Sequence, residues 1–157
     1  MDLAIERERR LAALAVRQHR AVGRDQMLQL GFGRGSINHR LNAHRIWRVH
    51  PRVYAIGPGP LDQRGRWYAS LLATRPSPAL SHLSAAAEAG LARELGWVHV
   101  TVPRRYAKKL RGVSVHGARH LHPLDLTRRG GLPVTALHRT LLDAAETEPF
   151  ARLESIW

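Results

Sequence analysis

The stretch SINHRLNAHRIWRVHPRVYAIG, residues 36–57, changes its apolar spacing halfway along. Ile37 and Leu41 are four residues apart, which places both on one face of a helix. Residues 46–49 and 53–56 instead alternate with the period of two strands joined by a short turn. The stretch is therefore predicted to form a helix followed directly by a β-hairpin.

Two further helices are predicted before this stretch. Apolar residues at helical spacing predict one helix over about residues 3–20 and, after a break, a shorter one over 24–30. A glycine-rich turn follows, and Ser36 is the predicted N-cap of a third helix that runs to about His44. The order helix, helix, turn, helix, hairpin predicts a winged helix-turn-helix domain over residues 1–57.

The charge of the chain points to a polyanionic partner. Lys plus Arg is 25 against 12 for Asp plus Glu, a formal net charge of +13, and only Lys108 and Lys109 are lysines. The planar guanidinium of arginine suits phosphates and guanine edges. A coding sequence rich in GC codons would explain why arginine outnumbers lysine, but it does not explain the excess of thirteen positive charges over negative ones. A pI near 11.7 therefore favours contact with nucleic acid.

The third predicted helix carries a polar outer face. With Ile37 and Leu41 towards the core, Ser36, His39 and Asn42 point outward and no acidic residue accompanies them. A solvated surface helix with incidental charge is the alternative. The predicted DNA-binding residues on and around this helix and the hairpin are Arg24, Arg34, Ser36, Asn38, His39, Arg40, Asn42, Arg45, Arg48 and Arg52.

A second domain is predicted after a Gly/Pro-rich boundary. Residues 58–64 are expected to be a linker, and 65–157 a small mixed α/β domain with three or four strands, which makes the fold class α+β. Ser81 and Thr135 are candidate N-caps of two of its helices. The final stretch, PFARLESIW, has apolar residues without partners in sequence. We therefore expect this domain to be truncated at Trp157.

Other chemistry is not favoured by the sequence. There are no cysteines, so disulfides and thiolate metal sites are excluded and a reducing cytoplasm is compatible. No secretory signal and no apolar run of about 18 residues is present, which predicts a cytoplasmic protein without a membrane partner. His116, His120 and His122 lack accompanying Cys or carboxylate spacing, so neither a metal nor a cofactor is predicted. Ser81-His82 lacks a nucleophile elbow, and no enzyme activity is predicted.

A basic run between two predicted strands has two interpretations. Residues 104–111, RRYAKKLR, contain one aromatic residue and five cations. The run is either a second anion-contacting loop or a solvated loop tip.

The same motifs resemble a known family. The chain resembles AbiEi-type antitoxins of type IV toxin–antitoxin systems at Val22–Gln26, at Ser36, Ile37, Arg40 and Leu41, and at Arg48–His50 and Val53–Ala55. The resemblance continues through ALSHLSAAAEAGL, VHVTVP, VSVHGARHL and GGLPVTALHRTLLDAA. The resemblance covers nearly the whole chain. It implies an N-terminal domain that binds operator DNA as a transcriptional autorepressor. It also implies a second domain that counters a nucleotidyltransferase toxin, so a cognate toxin is an expected partner.

An alternative function comes from similar chains that continue into a restriction-endonuclease-like nuclease. Such enzymes hold a hard cation with an Asp and a Glu-x-Lys pair. No Glu in this sequence has Lys two residues further on. The alternative is therefore the DNA-targeting half of a nuclease whose catalytic domain is absent from this chain. The sequence leaves the operator, the toxin and the oligomeric state open.

Overall fold

A computed structural model describes residues 3–94 and 96–149, and helices and strands are mixed throughout them. The predicted α+β class is therefore confirmed. Contacts between Cα atoms divide the chain into unit 1, Met1–Ala73, and unit 2, Thr74–Trp157. The predicted truncation concerns the segment 149–157, of which residues 150–157 lie outside the described part of the chain.

Unit 1 contains the three predicted helices and the predicted hairpin. Its elements are α1 (Leu3–Arg17), β1 (Ala21–Gly23), α2 (Arg24–Gln29), α3 (Arg34–Asn42), β2 (Ile46–His50), β3 (Val53–Ile56) and α4 (Gln63–Ala73). The strands form an antiparallel sheet in the order β1-β3-β2. Strand β1 covers residues for which only a break between the first two helices was predicted. Three residues are too few to show alternation, and they become a strand by pairing with β3.

The core of unit 1 lies between helices α1, α2 and α3 and one face of this sheet. Met27, Phe32 and Ile37 are among its largest fully buried side chains. Burying each such side chain contributes about 1.5–3 kcal/mol. Leu41 packs against the cluster while half-buried. The inward placement predicted for Ile37 and Leu41 is thus confirmed.

Helix α4 covers the other face of the same sheet. It contacts all three strands, and its Leu72 side chain lies 3.6 Å from the position that a Cβ on Gly23 would take. A Cβ on Gly65 would lie only 2.5 Å from the carbonyl oxygen of His19, so α4 begins in close contact with the end of α1. Residues 65–73, predicted to open the second domain, therefore group with unit 1, and the predicted linker 58–64 lies inside it. The physical reason is that the sheet has apolar residues on both faces.

Unit 2 is built on a five-stranded sheet with two helices. Its elements are β4 (Ala79–Leu80), α5 (His82–Glu88), β5 (Val98–Pro103), β6 (Val113–Ala118), β7 (Leu126–Arg129), β8 (Leu132–Thr135) and α6 (Leu137–Thr147). The strand order is β6-β5-β4-β8-β7, with β5 parallel to β6 and β4 parallel to β8. The sequence predicts β5, β6 and β8. It does not predict β4, which has two residues, or β7, whose LTRR sequence has no apolar alternation.

Two predicted helix caps are wrong. Gly33, not Ser36, occupies the N-cap position of α3, because the helix begins at Arg34 and includes Ser36 in its first turn. Ala136, not Thr135, precedes α6. Ser81 does occupy the N-cap position of α5, but its side chain makes no cap hydrogen bond. No helix in residues 3–94 and 96–149 is long and apolar enough to cross a membrane.

Candidate nucleic-acid interface

The outer face of α3 is polar and contains no carboxylate. Asn38, His39 and Asn42 are exposed, and Ser36 is half-buried. The opposite face is fixed by Ile37, which is 2% exposed. Amide and imidazole groups donate and accept hydrogen bonds, which are the contacts that base edges offer. The face therefore presents short side chains with adaptable hydrogen bonding on a rigid helix.

Three exposed arginines lie on α3 or shortly after it in the chain. Arg34 is the first residue of α3, Arg45 follows the end of the helix, and Arg48 lies on the adjoining strand β2. Within the described parts of the chain, none of the three forms an ion pair. A nine-residue helix is about 13 Å long, so the first two cations mark the two ends of the polar face. Their charges are not neutralised internally and are available to an anionic ligand.

The hairpin turn is tied to the start of α2. The carbonyl oxygen of Arg52 accepts a hydrogen bond of 2.7 Å from the backbone N–H of Arg24, which is half-buried. Arg52 has a left-handed backbone, with φ 62°, and its exposed guanidinium pairs with Asp25. An exposed ion pair of this kind contributes about 0–1 kcal/mol. A phosphate can therefore compete with Asp25 for Arg52.

Arg40 differs from the prediction. Its side chain is only 15% exposed, and its guanidinium pairs with Glu8 of α1. The Cζ atom of Arg40 lies 4.8 Å from the ring centroid of Phe32, and that of Arg7 lies 4.6 Å from the same centroid. Arg40 therefore connects α3 to α1 and does not extend from the polar face. Its position on the flank of the helix did not reveal this, because Phe32 and Glu8 come from other segments.

The apolar residues of the hairpin divide into two groups. Val53 and Tyr54 are buried, whereas Trp47 and Val49 are each 36% exposed. The two exposed side chains help to line a groove of about 500 Å³ together with Leu61 and other residues of unit 1. The hairpin is thus fixed through β3 and through the buried Ile46 of β2, and the exposed apolar side chains lie on the rest of β2.

A separate cluster of three histidines in unit 2 was not predicted. His82, His99 and His116 each offer a ring nitrogen, and these atoms lie within 4.8 Å of one another. His120 and His122, which neighbour His116 in sequence, are exposed and do not belong to this group. The alternation in VHVTVP and VSVHG places two of the histidines on strands. It does not show that these strands are adjacent and parallel.

The basic run 104–111 forms part of a surface groove in unit 2. Lys108, Lys109 and Arg111 line a groove of about 610 Å³ together with Trp97 and His116. The three cations are exposed, and Trp97 is 59% exposed. A groove with cations and an exposed indole is compatible with an anionic ligand, so the anion-contacting interpretation stays open.

Comparisons with known proteins do not identify the chain. No protein-family model matches it, and no curated protein matches its sequence. The resemblance to AbiEi-type antitoxins therefore depends on the sequence motifs alone. Function has to be inferred from the geometry and chemistry of the sites themselves.

Proposed function

We propose that unit 1 is a winged helix-turn-helix domain that binds double-stranded DNA. The element order α1-β1-α2-α3-β2-β3 and the sheet order β1-β3-β2 support this proposal. In helix-turn-helix proteins the second helix of the motif lies in the major groove. By this proposal α3 is the recognition helix and the β2–β3 hairpin is the wing. The observation that carries it is the acid-free face of α3 together with Arg34, Arg45 and Arg48, which form no ion pair within residues 3–94 and 96–149.

The exposed residues divide into two roles. Asn38 and Asn42 offer amides of the kind that pair with adenine in the major groove, and His39 lies on the same face. Phosphates or guanine are contacted by Arg34, Arg45 and Arg48, by Arg52 of the wing and by Arg24 at the start of α2. Phosphate contacts provide most of the affinity, whereas base-edge contacts provide the specificity. Arg40 has a structural role in this scheme.

The biological role that we propose is repression of the protein's own operon. It is supported by the resemblance to AbiEi-type antitoxins and implies a cytoplasmic location. The same resemblance supports an antitoxin role for unit 2. Co-purification with the product of the neighbouring reading frame tests that role separately. A downstream in-frame Asp…Glu-x-Lys segment would instead favour the nuclease alternative.

The DNA proposal is tested by fluorescence anisotropy with the full chain. One labelled duplex carries the DNA upstream of the coding sequence, and a scrambled duplex of equal composition is its control. We expect tighter binding to the upstream duplex. We also expect log K to fall by about 0.9 per neutralised phosphate for each log unit of salt. Equal affinity for both duplexes would contradict the repressor role, and no binding at 50 mM salt would contradict DNA binding itself.

Three variants locate the interface. Arg48→Ala should weaken binding to both duplexes and reduce the salt slope by about 0.9. Asn42→Ala should instead reduce the ratio of the two affinities, because an amide–base contact is sequence-dependent. Arg93→Ala removes the same charge from an exposed position in unit 2 and is the matched control. An equal effect of Arg48→Ala and Arg93→Ala would show that binding depends on net charge and not on this surface.

A further inference from the structure

Three separate elements of unit 2 bring three imidazole rings together. His82 is the first residue of α5, His99 lies on β5 and His116 on β6. In the parallel pairing of β5 with β6, His116 lies beside Thr101. Thr101 is two residues after His99 on β5, so the side chains of His99 and Thr101 are on the same face of the strand. The centroids of the His82 and His116 rings are 3.7 Å apart, and those of His99 and His116 are 5.3 Å apart. His99 Nδ1 lies 3.1 Å from His116 Nε2.

The environment of His82 and His116 keeps these two rings neutral. His82 is buried, and the other two rings are half-buried. Burial, with a smaller contribution from the neighbouring imidazoles, lowers the pKa of His82 to about 3 and that of His116 to about 4. At neutral pH both rings therefore carry a nitrogen lone pair. A neutral imidazole is the form that binds a metal ion.

We propose that His82, His99 and His116 bind one transition-metal ion of the Zn²⁺ type. Imidazole is a preferred ligand of Zn²⁺, and three protein ligands with an open fourth position are typical of accessible zinc sites. Zinc–nitrogen distances of about 2.0–2.1 Å require ligand nitrogens about 3.3 Å apart in a tetrahedron. The three nitrogens already lie within 4.8 Å of one another. The three rings are stacked, with interplanar angles of 30°, 18° and 13°, so binding requires the side chains to reorient until their nitrogen lone pairs point at one ion.

The surroundings hold the proposed ligands in place. His82 Nδ1 is 2.9 Å from the Ser81 hydroxyl, which leaves Nε2 to face an ion. Histidines that bind metals usually hydrogen-bond through their second nitrogen. The backbone N–H of His99 donates to the Ser84 hydroxyl at 2.8 Å. His82 also has a left-handed backbone, with φ 49°, which is unusual for a histidine and positions its ring over His116.

Two further features fit a fourth, non-protein ligand. The hydroxyl of Thr101 is buried and has no hydrogen-bond partner within the described residues. It lies next to His116 in register and offers a hydrogen bond to a water molecule on the ion. His116 also lines the groove that contains Lys108 and Arg111. This groove gives the ion a path from solvent, and its cations favour an anionic fourth ligand.

The test is a Zn²⁺ titration of the untagged full chain after dialysis against a chelator. Competition with a chromogenic chelator gives the stoichiometry and affinity, and Co²⁺ substitution gives the coordination through its visible absorption. We expect one Zn²⁺ per chain and a tetrahedral Co²⁺ spectrum. His116→Gln should weaken Zn²⁺ binding at least 100-fold. His120→Gln, an exposed neighbour outside the cluster, is the matched control and should leave it unchanged.

Two results would overturn the proposal. One is the absence of stoichiometric Zn²⁺ binding by the folded wild-type chain. The other is equal Zn²⁺ binding by wild type and His116→Gln, which would assign the ion to surface histidines. Circular dichroism checks that each variant is folded, and His99→Gln replaces His116→Gln if the latter is not. As a second readout, Zn²⁺ should raise the Tm of wild type and His120→Gln but not of His116→Gln.

Discussion

The α3–hairpin surface of unit 1 and the histidine cluster of unit 2 are both built from basic side chains, but they differ in two respects. The surface comes from residues 34–52, which are close in sequence, and its arginines other than Arg40 are exposed and charged. The cluster comes from His82, His99 and His116, which are far apart in sequence, and burial lowers the pKa of His82 and His116 so that both rings are neutral. An exposed arginine thus acts as a cation, whereas a histidine that burial keeps unprotonated offers a neutral donor atom.

Arg40 shows that arginines also differ in exposure within unit 1. It lies in α3 beside exposed Asn38 and His39, yet it is drawn into contact with Phe32 and Glu8. Its neighbours in sequence are candidate ligand contacts, whereas Arg40 supports the fold. Substitutions in unit 1 therefore distinguish residues that stabilise the fold from residues that would contact a ligand.

The largest expected effect is the loss of stability caused by truncating Phe32 in the core of unit 1. Phe32 is 1% exposed, with a guanidinium over its ring from both Arg7 and Arg40. Phe32→Ala should lower the free energy of unfolding of unit 1 by about 3–5 kcal/mol, because it creates a cavity in the core. Urea denaturation of the full chain measures this. Leu28→Ala, at a site 37% exposed, is the control and should cost much less; equal losses would contradict the packing described here.

The next effect tests whether α4 is part of unit 1. A Cβ on Gly65 would meet the carbonyl oxygen of His19 at 2.5 Å, so Gly65→Ala should destabilise unit 1 by about 1–3 kcal/mol. Gly35, in α3, has no atom within 4 Å of a Cβ position. Gly35→Ala should therefore stabilise the unit by about 0.5–1 kcal/mol. Thermal unfolding of both variants measures the difference, and a neutral Gly65→Ala would show that α4 does not pack in this way.

A smaller effect separates Arg40 from Arg48. Arg40→Ala should cost about 1–2 kcal/mol of stability, because it removes a partly buried ion pair and a cation–π contact. Arg48→Ala, at an exposed residue without an ion pair in the described chain, should change stability by less than about 0.5 kcal/mol. Chemical denaturation of the two variants checks this. If the stability losses were reversed, the assignment of structural and surface roles would be wrong.

The smallest expected effect is a pH dependence at the end of β2. Burial lowers the pKa of His50, so the folded state resists protonation that the unfolded state accepts. The unfolded chain then binds more protons below about pH 6.5, and stability falls as the pH decreases through that range. His50→Gln should make the unfolding free energy less dependent on pH between 7 and 5. A variant with an unchanged pH slope would indicate that His50 is solvated.

The helices and the hairpin of unit 1 were predictable, because periodic apolar spacing is a local property. Strand β1 and the boundary at Ala73 were not, since both depend on pairing or packing with distant residues. The same limit applies to the sites. The exposed polar face of α3 follows from the positions of Ile37 and Leu41, but the capture of Arg40 by Glu8 does not.

The sequence by itself determined the helix–hairpin order, the acid-free face of α3 and the excess of arginine. Each of these is carried by neighbouring residues and the fixed period of a helix or strand. Only the tertiary structure decided which arginines are left unpaired and which histidines meet. The parallel register of β5 and β6, with α5 beside them, brings His82, His99 and His116 together across 34 positions of sequence. Burial keeps His82 and His116 neutral, and contacts between distant segments give Arg40 a structural role.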